Sequence, residues 1–227
     1  MINSEIKVAI ASRSFSRNKI LRNEVIERYS NVKFNDNGLS LKGELLVDFL
    51  QGITHAIIAL EKIDSCILSQ LPELQVISKY GVGLDMIDMQ AMQKYNVKLG
   101  WTGGVNRRSV SELVISFAIS LLRHVPESNR EVLSGTWQQH VGRQPSGRTV
   151  GIIGCGHVGQ DLVKILQPFG CSILVNDIKN YHEFYKQYNI KAVEKEELLK
   201  KSDIVTLHTP LDNSTRNMLT AERLSLM

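Results

Sequence analysis

The sequence predicts an α/β protein built on parallel sheets. Two observations carry that expectation. Short apolar runs of strand length alternate with stretches of helical periodicity along the whole chain. Glycine-rich turns, Tyr80-Gly81-Val82-Gly83 and Gly154-Cys155-Gly156-His157-Val158-Gly159, stand where such runs end.

In chain order, residues 7–10 read as a strand. Residues 19–29 read as a helix with Ile20, Leu21, Val25 and Ile26 on one face. Residues 32–34 make a short strand, and 43–50 a helix turning Leu45, Leu46, Phe49 and Leu50 inward. The continuous apolar run at 56–60 fits a strand covered on both faces. Residues 63–71 read as helix, and 74–77 as a strand ending at the first glycine turn. A long helix is expected over 109–124, opened by the capping box Ser109-Val110-Ser111-Glu112 and ended by Pro126. Residues 134–147, with Gly135, Gly142, Pro145 and Gly147, read as a connection. Strands then follow at 149–153, 172–176, 191–193 and 204–207, with helices at 158–166, 181–188 and 196–200 between them. The last residues, 221–227, have a helix-like pattern.

The composition is that of an ordinary globular chain: 227 residues, 43% hydrophobic, 22% charged. The formal net charge is +4, with no long run of like charge and no basic stripe, which argues against nucleic acid as a partner. No stretch approaches the roughly 20 apolar residues that span a bilayer, and the start lacks a basic segment leading into an apolar one. Cys66, Cys155 and Cys171 have no CxxC spacing, so reduced thiols in a cytoplasmic protein are expected rather than a disulfide framework. The six histidines show no metal-ligand spacing.

The residues from Gly154 to Gly159 carry the most chemistry. GxGxxG is informative only between a strand and a helix, which is where it stands here. Gly154 permits the tight turn, Gly156 lets a pyrophosphate approach the backbone, and Gly159 lets the helix pack closely on the sheet. The N–H groups near His157 and Val158 would face that pyrophosphate at the positive end of the helix dipole. His157 could donate to a phosphate or face solvent. Asp177, at the end of the next strand, would accept hydrogen bonds from the adenosine ribose and repel a 2′-phosphate, so NAD is the expected cofactor. Cys155 reads as a small residue that fits the loop.

With this loop in place, the chain resembles the D-isomer-specific 2-hydroxyacid dehydrogenases, phosphoglycerate dehydrogenases in particular. Four segments carry the resemblance: 77–88 around the first glycine turn, 106–112, 147–159, and Ser202-Asp203-Ile204-Val205-Thr206-Leu207-His208-Thr209-Pro210-Leu211 with Thr215 beyond it. The resemblance implies two domains, a flavodoxin-like substrate domain over 1–104 and a truncated Rossmann domain over 105–227. It implies that Gly81, Val82 and Gly83 offer backbone N–H groups to a substrate carboxylate, with Val82 beside the nicotinamide; glycine-rich backbone makes such an anion nest. It places His208, Thr209, Pro210 and Thr215 along the cofactor. The implied substrate is a small 2-hydroxy or 2-oxo acid, and the implied assembly a homodimer through the long helix.

The sequence also departs from the family pattern. The arginine, glutamate and histidine that perform the family's chemistry lie beyond the point matching Met227, and none of His55, His124, His140, His157, His182 and His208 has the family's Pro-His context. No catalytic residue is assigned, and the isolated chain is expected to be inactive. The strand at 204–207 is expected at an edge. Where many phosphoglycerate dehydrogenases have an arginine after the strand at 56–60, this chain has Glu61-Lys62. A second reading fits the same motifs: a dinucleotide-binding regulatory module, or a remnant, without turnover.

Overall fold

The computed structural model describes residues 3–227. The chain divides into two compact units, one ending at Gly103 and the other beginning at Gly104.

The first unit runs β1 (Asn3–Ile10), α1 (Arg13–Arg17), α2 (Lys19–Ile26), β2 (Tyr29–Phe34), α3 (Glu44–Leu50), β3 (His55–Ile58), α4 (Ser65–Leu68), β4 (Val76–Lys79), α5 (Met89–Lys94) and β5 (Lys98–Gly100). The strands pair in parallel in the order β2-β1-β3-β4-β5, the flavodoxin-like arrangement. Alternation along β1 sends Val8 and Ile10 to one core, with Phe15 and Val25, and Ala9 to the other, with Leu46, Leu50, Ile58 and Ile77. Side-chain caps start the short helices. The Asn18 carboxamide oxygen accepts from Ile20 and Leu21 N–H at 3.0 and 3.2 Å, and Asp64 and Asp88 do the same for α4 and α5.

Several sequence expectations change here. The helix over 63–71 contracts to α4, because Asp64 caps it and the chain turns again after Leu68. Leu45, Ile20 and Ile26 are exposed; Val47 takes the inward place expected of Leu45. Leu60 is exposed as well, since β3 ends at Ile58.

Asn35, buried after β2, joins three segments. Its side-chain N–H group donates to Ala11 O and Leu39 O, both at 2.9 Å, and its side-chain oxygen accepts from Leu39 N–H at 2.9 Å. Ser16 Oγ meets the Asn35 N–H at 3.1 Å and donates to Ile10 O at 3.2 Å. This network fixes the turn after β1.

The second unit runs α6 (Arg107–Leu122), α7 (Val125–Leu133), β6 (Thr149–Ile153), α8 (His157–Leu166), a 3-10 turn (Gln167–Phe169), β7 (Ser172–Asn176), α9 (His182–Gln187), β8 (Lys191–Ala192), α10 (Lys195–Lys201), β9 (Ile204–Leu207) and α11 (Ala221–Leu224). Its strands are parallel in the order β8-β7-β6-β9, a doubly wound order that reverses between β6 and β9, with β9 at an edge. Strands β6, β7 and β9 have the bounds expected from sequence.

The long helix does not use the expected capping box. It begins at Arg107 behind Asn106, so Ser109 and Glu112 lie within it. Buried Ser111 instead sends its Oγ toward Val158 O at 3.4 Å, and Arg108 pairs with the buried Asp161 of α8 at 3.0 Å. Pro126 does not end this helix. His124 turns the chain through a left-handed conformation, φ 55°, and Pro126 opens α7 in its first turn, where the missing N–H costs nothing.

Replacing Asn35 with Ala leaves Leu39 N–H and two carbonyls short of a partner and should destabilise the first unit by about 3 kcal/mol, read as a lowered urea midpoint. A change below about 0.5 kcal/mol would show that water satisfies these groups instead.

Candidate dinucleotide site and glycine turn

The carboxyl ends of β6, β7 and β9 form the candidate dinucleotide site. Gly154 leaves β6 with φ +97°, and its N–H donates to Asn176 O at 2.8 Å. A Cβ at Gly154 would come within 2.7 Å of the His208 backbone, so the end of β9 closes over this turn. A Cβ at Gly159 would sit 2.2 Å from Gly154 O, so the first turn of α8 is pressed directly on the loop. Above Gly156 the situation is reversed: a Cβ there would meet nothing within 4 Å. The start of α8 has no side-chain cap, which leaves its first N–H groups, with those of His157 and Val158 among them, directed at that space. This open cradle before an uncapped, ten-residue helix has the shape and polarity a diphosphate requires.

Asp177 closes the other side. Its Oδ2 accepts from Cys155 N–H at 2.6 Å and its Oδ1 from Lys179 N–H at 2.8 Å. The carboxylate thus holds the glycine loop while standing at the end of β7. An open crevice of about 460 Å³ adjoins it, bounded by Ile178, Asn180 and Glu197 among others. Burial, and secondarily the Asp177 charge, pushes the Cys155 thiol up to about 12, so it stays protonated and acts as a small apolar filler. His157 is exposed, with its ring packed against Gly104.

His208 shares a hydrogen bond with Thr206 Oγ1 at 3.0 Å, and its N–H donates to Ile153 O. The Thr209 methyl packs toward Gly154. Beyond exposed Pro210 the chain turns on Thr215, whose hydroxyl donates to Pro210 O at 2.6 Å and accepts from Asp212 N–H at 2.9 Å. Thr215 therefore shapes the turn that carries Pro210.

Gly81, Val82 and Gly83 belong to the first unit. Gly81 has φ +124°, outside the range comfortable for L side chains. Trp101 Nε1 donates to Val82 O at 3.0 Å and pins the turn from the far side of β5. The Lys79 amine, which donates to Ala59 O, lies 3.3 Å from where a Gly81 Cβ would be. Burial pulls the Lys79 amine below its usual range, against the opposing charges of Glu61 and Asp85. Neither Trp101 nor Lys79 was assigned a role from sequence. Trp101 meets Val82 only through the fold.

Residues 115–227 match the NAD binding domain of the D-isomer specific 2-hydroxyacid dehydrogenases. The chain belongs to that family. A glyoxylate reductase of Thermococcus litoralis is 30% identical over 89% of this chain and 62% of its own length. A D-3-phosphoglycerate dehydrogenase of Bacillus subtilis is 30% identical over 72% of this chain and 32% of its own. Among solved structures, a D-lactate dehydrogenase of Aquifex aeolicus, complexed with NAD and lactic acid, aligns with TM-score 0.83 at 22% identity, over 97% of this chain and 65% of that one. The chain thus spans less than two thirds of the length of these relatives. The cofactor of the matched domain is NAD. Among the described residues no single helix is long and apolar enough to cross a membrane, and no group of histidine, cysteine and carboxylate side chains could hold a metal ion.

Burial holds the His208 imidazole below its ordinary pKa of 6.5. A group with a depressed folded pKa contributes stability that is present above the unfolded value and lost as pH falls through the folded one. The second unit should therefore lose stability progressively below about pH 6.5. In His208→Gln this part of the acid loss should vanish. Thermal melts of both proteins from pH 7.5 to 5 check this; parallel curves would count against it.

Proposed function

We propose that this chain forms the binding framework of an NAD-dependent oxidoreductase acting on the CH–OH group of a D-2-hydroxy acid. The observation that supports the reading best is the open cradle at Gly156, set between the Gly154–Gly159 contact and the Asp177 carboxylate. In this reading Gly154, Gly156, His157, Val158 and Gly159 hold the pyrophosphate, and Asp177 takes the adenosine ribose. His208, Thr209, Pro210 and Thr215 border the cofactor. Gly81, Val82 and Gly83 hold the substrate carboxylate on backbone N–H groups, and Val82 also serves the nicotinamide. Residues up to about 104 make the substrate domain and those from 105 the cofactor domain.

Bound NAD supplies a hydride acceptor for the carbinol carbon. The chain's own groups bind and orient, and none of the residues named here is assigned the proton transfer that must accompany the hydride. Asp177 also sets cofactor choice, because a carboxylate repels the 2′-phosphate that distinguishes NADP.

Titration of the full chain with NADH, with NADPH as the control, tests this. NADH should saturate and bind at least tenfold tighter than NADPH, and Asp177→Ala should bring the two within about threefold. Equal binding of both by the parent chain would overturn the assignment of Asp177. Failure of the parent chain to bind either dinucleotide would overturn the reading of the Gly156 cradle.

Homodimerisation is proposed through α6. Leu113, Phe117 and Leu121 repeat at helical spacing on its exposed face, and Trp137 and Val141 are exposed in the following connection. Sedimentation should show a dimer that Phe117→Glu dissociates; a monomeric parent chain rules this interface out.

A further inference from the structure

The strand order of the first unit reverses between β1 and β3, and at such a switch point the two connections leave in opposite directions and open a crevice at the carboxyl edge. A crevice of about 250 Å³ lies there, between the turn after β1 and the turn after β3. Its lining includes Ser12, Arg13, Ser14 and Arg17 on one side and Ala59 and Glu61 on the other.

The charge within it is unbalanced. Arg13 and Arg17 are exposed, and neither has an ion-pair partner among the described residues. The Arg17 guanidinium lies over Gly38, 2.6 Å from where a Cβ there would be. Glu61, the carboxylate in the lining, is buried and already engaged: its Oε2 accepts from Ala59 N–H at 2.6 Å, and the Lys79 amine faces its charge from β4. Arg13 and Arg17 thus line the crevice beside a turn fixed by buried Ser12 and by the Asn35 network. Guanidinium groups favour carboxylate and phosphate because their planar N–H pairs match two oxygens at once.

The crevice adjoins the glycine turn through direct contacts. Phe15 of α1 meets Tyr80 edge to face, ring centroids 5.2 Å apart, and the Lys79 amine ties the turn after β4 to Ala59 O. Two strand spacings, roughly 10 Å, separate β1 from β4. A three- or four-carbon acid held by its carboxylate at Gly81–Gly83, met from the other side by a long arginine, covers that span.

We propose that Arg13, with Arg17, is the specificity determinant that selects hydroxy acids with a second anionic group, phosphate or carboxylate, at the end away from the reacting carbon. The proposal rests on the hydroxy-acid reading above and deepens it.

Calorimetric titration of the full chain in phosphate-free buffer decides it, with D-glycerate, 3-phospho-D-glycerate, D-malate and inorganic phosphate as probes. Phosphoglycerate or D-malate, or both, should bind at least tenfold tighter than D-glycerate, and their ranking tells which anion the crevice takes. Arg13→Gln should remove most of that preference and leave D-glycerate binding unchanged; Arg13→Lys should keep part of it. Arg17→Gln, checked by an unchanged melt, should act in the same direction. A preference that survives Arg13→Gln overturns the proposal, as does an equal loss of D-glycerate binding. D-glycerate bound without any preference for a second anion leaves the hydroxy-acid reading standing and overturns this one. Inorganic phosphate bound by the parent chain and lost in Arg13→Gln, with no hydroxy acid bound more tightly than phosphate, supports the anion crevice and counts against the hydroxy-acid reading.

Discussion

The contact between Gly159 and the Gly154 carbonyl is the constraint on which the second unit turns. With no side chain between them, α8 starts against the end of β6, and its dipole axis falls on the loop rather than beside it. The rest follows from that seat. Leu162, Val163 and Leu166 reach the core beside Val150, Ile152 and Val175, and Asp161 meets Arg108 of α6. An alanine at Gly159 would have to lift the helix, and with it the N–H groups that make the cradle.

The two units use the same device differently. Both are parallel sheets whose chain order reverses at one point, so both present turns along a single edge. In the second unit the turn is built from close backbone approach and open space. In the first, the turn after β4 is held by side chains: Trp101 on Val82, Lys79 on Ala59, Phe15 on Tyr80.

Legibility in the sequence followed the length and regularity of each apolar pattern. Strands β6, β7 and β9 are apolar runs bounded by polar or glycine residues, and the period alone locates them. The helices α1 and α5 are five and six residues long, too short to show a helical period, and α7 buries none of its side chains. Three-residue β5 is too short to show alternation. The capping box at Ser109 misled because its pattern is local, while the start of α6 is set by packing on α8, which claims Ser111 and Arg108. The glycine loop and Asp177 could be read from spacing. The hydrogen bond joining Cys155 N–H to Asp177, the support of Trp101 for Val82, and the pairing of the turns after β1 and β3 span distances that no local pattern records.

The two hydrogen bonds to Asp177 have a thermodynamic consequence. Its carboxylate is held in one rotamer by the Cys155 and Lys179 N–H groups, so that side chain is preorganised. Freezing a mobile side chain on association costs about 0.5–1.5 kcal/mol. Here that entropy is surrendered during folding, when Cys155 and Lys179 N–H groups find their acceptor. The ribose would meet a carboxylate already aimed.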